Sequence, residues 1–162
     1  MRKRIIRVSA APTVGVPDGD WLNLSEIATV EVSSEQEGFP IEAVFEDIGG
    51  PGWRAARAGS QLIRILFDEP VAVRRIRLRF EEPQVERTQE FTLSWCLATG
   101  GCHEIVRQQW NFSPAGSTVE IEQYAVSLET VAALELAIEP DIGRKDAFAT
   151  LAKWSVAGFS RR

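Results

Sequence analysis

The sequence predicts an all-β chain folded as an antiparallel β-sandwich or jelly roll. Apolar and aromatic residues recur with a period of two over short runs. Proline, glycine and acidic residues interrupt those runs at regular intervals, and no stretch keeps a helical period long enough to link two parallel strands. About seven to nine short strands follow from this spacing. The run from Gln61 to Phe80 organises the rest: Ile76, Leu78 and Phe80 alternate with Arg75, Arg77 and Arg79. A strand points successive side chains to opposite faces, so this pattern predicts one face in the core and one in water. Pro70 has no N–H to give to a ladder, and Asp68-Glu69-Pro70 therefore reads as the join of two strands in a central hairpin.

Taken in order, Ile5 to Val8 is a short first strand, and Ala11 to Asp20, with two prolines and two glycines, is a loop. Ile27 to Ser33 is a strand by composition. Ile41 to Phe45 reads as a helical turn or a short strand, and Gly49-Gly50-Pro51-Gly52 is a flexible turn with Trp53 behind it. Thr88 to Cys96 alternates with Phe91, Leu93 and Trp95 inward, and Thr99-Gly100-Gly101 turns it into Glu104 to Phe112. Val119, Ile121 and Tyr124 mark a strand, Ser127 to Ala132 reads as a helical turn, and Leu134, Leu136 and Ile138 resume the strand period. Phe148 to Val156 closes the chain as a strand. The outward arginines of the central run find partners of matching phase in Glu120, Glu122, Glu135 and Glu139.

A chain of 162 residues is the size of one domain and buries roughly 70% of its unfolded surface without a covalent staple. It is read as a single unit over 1–162, with 1–26 an extension packed on it. Its 44% hydrophobic and 25% charged residues are ordinary for a globular domain. A net charge of −5 removes the general attraction that drives binding to nucleic acid or anionic membranes, so neither is an expected partner. The basic start, Met1 to Arg4, imitates a signal peptide, but Arg7 ends the apolar run after Ile5-Ile6, far short of the roughly 7 to 15 apolar residues required. The expected location is cytoplasmic. Cys96 and Cys102 could pair across the hairpin, but are expected as free thiols in a reducing compartment.

From Ile27 to Gly158 the order of features resembles the discoidin, or coagulation factor 5/8 type C, group of the galactose-binding-domain-like jelly rolls. The resemblance rests on Val32-Ser33-Ser34-Glu35, Phe39 to Asp47, Gly52-Trp53-Arg54-Ala55, Gln61 to Pro70, Val73 to Phe80 and Leu151-Ala152-Lys153-Trp154. It implies a sandwich of about eight strands whose loops at one end bind a ligand, often a sugar. Members of the group often hold calcium near that end, with an acidic residue beside the alanine that Ala152 matches. Here that position is Lys153, which has three donors and no lone pair. No metal is expected, and Lys153 is expected to pair with Glu46 or Asp47. The disulfide that secreted members form between the two ends of the domain is also missing.

The loops matched to the ligand end are Glu35 to Pro40, Gly49 to Gly59 and Glu81 to Gln89. They supply the candidate binding residues Phe39, Trp53, Arg54, Arg57, Glu86 and Arg87, with Glu82 and Gln89 beside them. An aromatic face beside planar polar groups is how proteins grip sugars. Against this, a tryptophan behind a glycine loop also serves as a plug for the barrel end, and charged loop residues are usually a solvated rim. His103 sits alone at a hairpin tip, and with Cys96 and Cys102 it lacks the spacing of a zinc site. Glu81-Glu82 could supply carboxylates for glycoside hydrolysis, but sequence spacing does not single them out. Arg74, Arg75, Arg77 and Arg79 read as a solvated outer face, and Gln108 to Pro114, amides among aromatics, as a second candidate surface. The expectation is a non-catalytic ligand-binding module for carbohydrate, with no catalytic residue and no cofactor. The alternative is an intracellular protein–protein interaction domain of the same fold.

Overall fold

The computed structural model describes residues 7–8, 21–46 and 50–158. In chain order these form β1 (Arg7–Val8), α1 (Leu24–Ile27), β2 (Ala28–Val32), α2 (Glu42–Phe45), β3 (Trp53–Arg54), β4 (Gln61–Glu81), β5 (Arg87–Cys96), β6 (Cys102–Phe112), β7 (Val119–Glu139), β8 (Thr150–Leu151) and β9 (Lys153–Ala157). Every strand pairing is antiparallel. The predicted loop from Ala11 to Asp20, most of the N-terminal extension and Asp47 lie outside the described residues.

The run predicted as a central hairpin is instead one bent strand. The first half of β4 pairs with β2 and with Leu134–Ile138 of β7, whereas its second half pairs with Val119–Ala125 of β7 and with β9. Asp68, Glu69 and Pro70 are exposed at the bend, where the register with β7 shifts at successive irregularities between Leu66 and Arg75. Extra residues at such bulges bend a strand, which lets β4 leave one layer and enter the other. Strand β7 makes the same journey beside it, so Ser127 to Ala132 is strand and not the expected helical turn. One layer holds β2, the first half of β4, the second half of β7, β5 and β6. The other holds β9, the remaining halves of β4 and β7, and β1.

The bend also changes which residues face inward. Gln61, Ile63, Ile65 and Phe67 are buried before it, Val73 within the irregular stretch, and Ile76, Leu78 and Phe80 after it. Arg75, expected outside, falls at the change of phase and is 7% exposed, with its guanidinium 5.7 Å from the ring centre of Trp21. Arg77 and Arg79 do face water. Phe80 and Phe91 stack between the layers with centroids 5.1 Å apart. Glu120 and Glu122 correct a second expectation, because they point inward with Tyr124 while apolar Ile121 is 50% exposed. Gln89 on β5 donates to Glu120 Oε1 at 3.1 Å, whereas Glu120 Oε2 and the Tyr124 hydroxyl are buried without a hydrogen-bond partner among the described residues. Of the expected glutamate partners, Glu135 pairs with Arg64 at 2.7 Å and Glu139 accepts from Ser60.

Cys96 and Cys102 are joined by a disulfide across the β5–β6 hairpin. Their register makes them directly opposed residues with Cα atoms 4.0 Å apart, close enough for a bond that sequence spacing alone did not settle. The thiol-based argument for a reducing compartment falls with this bond. His103 packs against Trp95 with ring centres 4.9 Å apart, and the bonded cysteines have no thiolate to offer a metal.

Candidate functional site

The short ladder of β3 with β8, Trp53 opposite Leu151 and Arg54 opposite Thr150, holds one end of the sandwich. Glycine is required just before it. Gly52 has φ +84°, and a Cβ there would lie 2.6 Å from the Leu151 carbonyl oxygen and 2.9 Å from Ala152 Cα. The chain can therefore press directly against β8. Trp53 is 1% exposed, and its indole N–H donates to the Ser34 carbonyl at 2.9 Å. This tie brings the 34–39 segment over the end of the barrel. Further bonds fix that segment: Gln36 N–H to Arg54 O, Phe39 N–H to Gln36 O, and Ile41 N–H to the Glu35 carboxylate, each 2.9 Å.

The loop after β4 is organised from below by an enclosed ion pair. Arg87 Nε donates to Glu82 Oε1 at 2.9 Å, and the two side chains are 0% and 4% exposed. The remaining guanidinium nitrogens donate to Gln89 Oε1, the Pro140 carbonyl and Thr150 Oγ1 at 3.0–3.2 Å. Glu82 Oε2 in turn accepts from the N–H groups of Gln84 and Val85. Burial lowers the Arg87 pKa, and its bonds to Glu82 act in the opposite direction. Farther along this buried chain, burial and then the neighbouring Glu122 carboxyl push the Glu120 carboxyl up to about 9, against the opposing pull of Gln89 and Arg87.

Between the two loops opens a pocket of about 350 Å³. Half-buried Phe39, Arg54 and Gln36 line it with Gln84, Glu81 and Thr150, and Trp53, Glu82 and Leu151 form its buried base. Of the sequence-predicted residues, Phe39, Trp53 and Arg54 come together here. Arg57 and Glu86 are exposed and do not line it; Arg57 donates instead to the Ser33 carbonyl at 3.0 Å. Arg87 lies beneath the pocket with its donors engaged. Gln36, Gln84 and Thr150 escaped prediction as individuals. The first two lie inside loops already marked as the ligand end, whereas Thr150 arrives from a distant strand and left no local signal.

The pocket carboxylates are already held: Glu81 accepts from Arg79 Nε at 2.6 Å and Glu82 is enclosed by Arg87. That arrangement does not fit a pair poised for acid–base attack on a glycosidic bond. Nor do nearby residues fit the calcium that the fold group often carries. Lys153 Nζ donates to the Glu46 main-chain carbonyl at 3.2 Å and so places a cation where a metal would need a ligand, while Asp47, the other expected partner, lies outside the described residues.

No family model matches the chain, and no curated protein matches it by sequence. Solved structures do match in shape. The family 32 carbohydrate-binding module of Clostridium perfringens NanJ, solved with galactose, is 16% identical at a TM-score of 0.57, over 85% of this chain and 97% of that one. Another C. perfringens module of that family, solved with GlcNAc-α-1,4-galactose, is 16% identical at a TM-score of 0.59, over 86% of this chain and 96% of that one. A Ruminococcus gnavus GH29 fucosidase solved with fucose is 13% identical at a TM-score of 0.66, and the match covers 86% of this chain but 27% of the enzyme. The chain has the discoidin-like, galactose-binding-domain-like β-sandwich fold.

Proposed function

We propose that this chain is a non-catalytic carbohydrate-binding module whose ligand enters the pocket between the 34–39 and 81–87 loops. The observation that carries the reading is chemical: a half-buried Phe39 ring stands beside a guanidinium and two amides in one concave end. An apolar sugar face stacks on the ring while planar donors and acceptors take the hydroxyls. Its volume lies near the lower end of the roughly 300–1,000 Å³ of small-molecule sites, which suits a short saccharide. Galactose and GlcNAc-α-1,4-galactose, the sugars bound by modules of similar fold, are the natural first ligands to try.

In this reading Phe39 is the stacking platform and Arg54, Gln36 and Gln84 make polar contacts. Trp53 and Arg87 hold the loops, and Arg57 and Glu86, exposed and outside the pocket lining, take no direct part. Glycan-array binding that falls at least about tenfold in Phe39→Ala, with the thermal midpoint within about 3 °C of the parent, supports it. Silence across the array, or binding indifferent to Phe39→Ala, overturns it.

A further inference from the structure

The charges that line the pocket are not all paired. Glu81 is paired with Arg79 and Glu82 with Arg87, which leaves Arg54 as the pocket-lining charge with no carboxylate partner among the described residues. Its guanidinium is held 5.3 Å from the ring centre of Phe148, a contact that fixes the plane without using its N–H donors. Arg87 lies close enough beneath for the two positive charges to oppose each other. A half-buried cation beside another cation is stabilised when an anion arrives, and the guanidinium fork matches a carboxylate with two parallel N–H···O bonds.

We infer that the saccharide is acidic: a hexuronate whose carboxylate docks on Arg54 while its ring lies against Phe39. This rests on the carbohydrate-binding reading and narrows it. A neutral sugar would use the same ring and amides but would leave the Arg54 charge without a counter-ion.

The test is calorimetric titration of the full chain with trigalacturonate, its methyl ester and the neutral galactose trimer. The ester keeps the shape of the acid and removes its charge. The acid is expected to bind about 10- to 100-fold more tightly than the ester, the range for a hydrogen-bonded charge. That preference should shrink as salt rises from 50 to 500 mM, because a partly exposed pair is screened. In Arg54→Gln acid and ester should bind alike, and Arg54→Lys, which keeps the charge but loses the fork, should fall between. Near-UV circular dichroism checks that each variant is folded.

Equal binding of acid and ester by the parent, or a preference that survives Arg54→Gln, overturns the inference and leaves the carbohydrate reading standing. Tighter binding of a sulfated trimer than of the uronate, lost in Arg54→Gln, overturns the carboxylate assignment. If no saccharide of any charge binds, both fall together.

Discussion

Arg87 Nε and Glu82 Oε1 lie 2.9 Å apart with almost no access to water, directly under the loop that forms one wall of the pocket. Such a pair contributes less by its own attraction than by what happens when one member is lost, because the survivor is then a buried, uncompensated charge. Three further bonds from Arg87 tie β5, β8 and the Pro140 carbonyl together, so the pair is also the joint at which these segments meet.

Glu82→Ala or Arg87→Ala should therefore cost about 3 to 5 kcal/mol in urea unfolding. The double substitution Glu82→Leu with Arg87→Met should recover much of that loss, since an apolar pair leaves no orphan charge. Single losses below about 1 kcal/mol would mean that water reaches the pair.

Gly52→Ala should destabilise the chain by about 1 to 3 kcal/mol, from a left-handed backbone and a Cβ pressed onto β8. It should also weaken any ligand bound in the pocket, because relief of the clash must separate β3 from β8. A variant with parental melting and binding would contradict this geometry. Trp53→Ala is a poor probe of recognition by comparison: at 1% exposure its removal should cost about 3 to 5 kcal/mol.

The Glu120 carboxyl titrates near 9 when folded, against an ordinary value of 4.5. Below about 4.5 both states hold the proton and its contribution is fully present. As pH rises from there to about 9 the unfolded chain releases the proton first, so folding stability falls, by no more than about 1.4 kcal/mol per pH unit for one proton. Denaturant midpoints between pH 5 and 9 should follow this slope, and Glu120→Gln should flatten it. An unchanged slope in the variant would assign the effect elsewhere.

Reduction of the Cys96–Cys102 bond should lower stability by about 2 kcal/mol, the chain-entropy value for so short a loop. Ligand affinity should not change. The bond lies at the far end of β5 from Arg87, about 30 Å along an extended strand. Affinity that drops with reductant would show the two ends to be coupled.

Much of the layered body was legible in the period-two pattern, since Ile76, Leu78, Phe80, Phe91 and Leu93 are buried where alternation put them, whereas Trp95, expected inward with the last two, is half-buried beyond the register shift between Leu93 and Ser94. What the pattern could not reveal was continuity through Pro70: a proline at an exposed bend costs no ladder bond, so the same residues signal a hairpin or a corner. Glu120 and Glu122 defy the alternation because exposed Ile121 mimics a core residue, and the bond that Glu120 accepts from Gln89 comes from another strand, where a local pattern cannot show it. The loops matched to the ligand end do border a pocket, but which loop residues line it depends on contacts such as Arg54 with Thr150, 96 positions apart in sequence, and alternation carries no record of these.

The passage of β4 and β7 side by side through both layers means that neither layer owns its central strands. Peeling one sheet away would require tearing the same two ribbons along their whole length. Half-open forms thus forfeit nearly as much as full denaturation, and the tip that holds the pocket sits on a body expected to melt as a single unit.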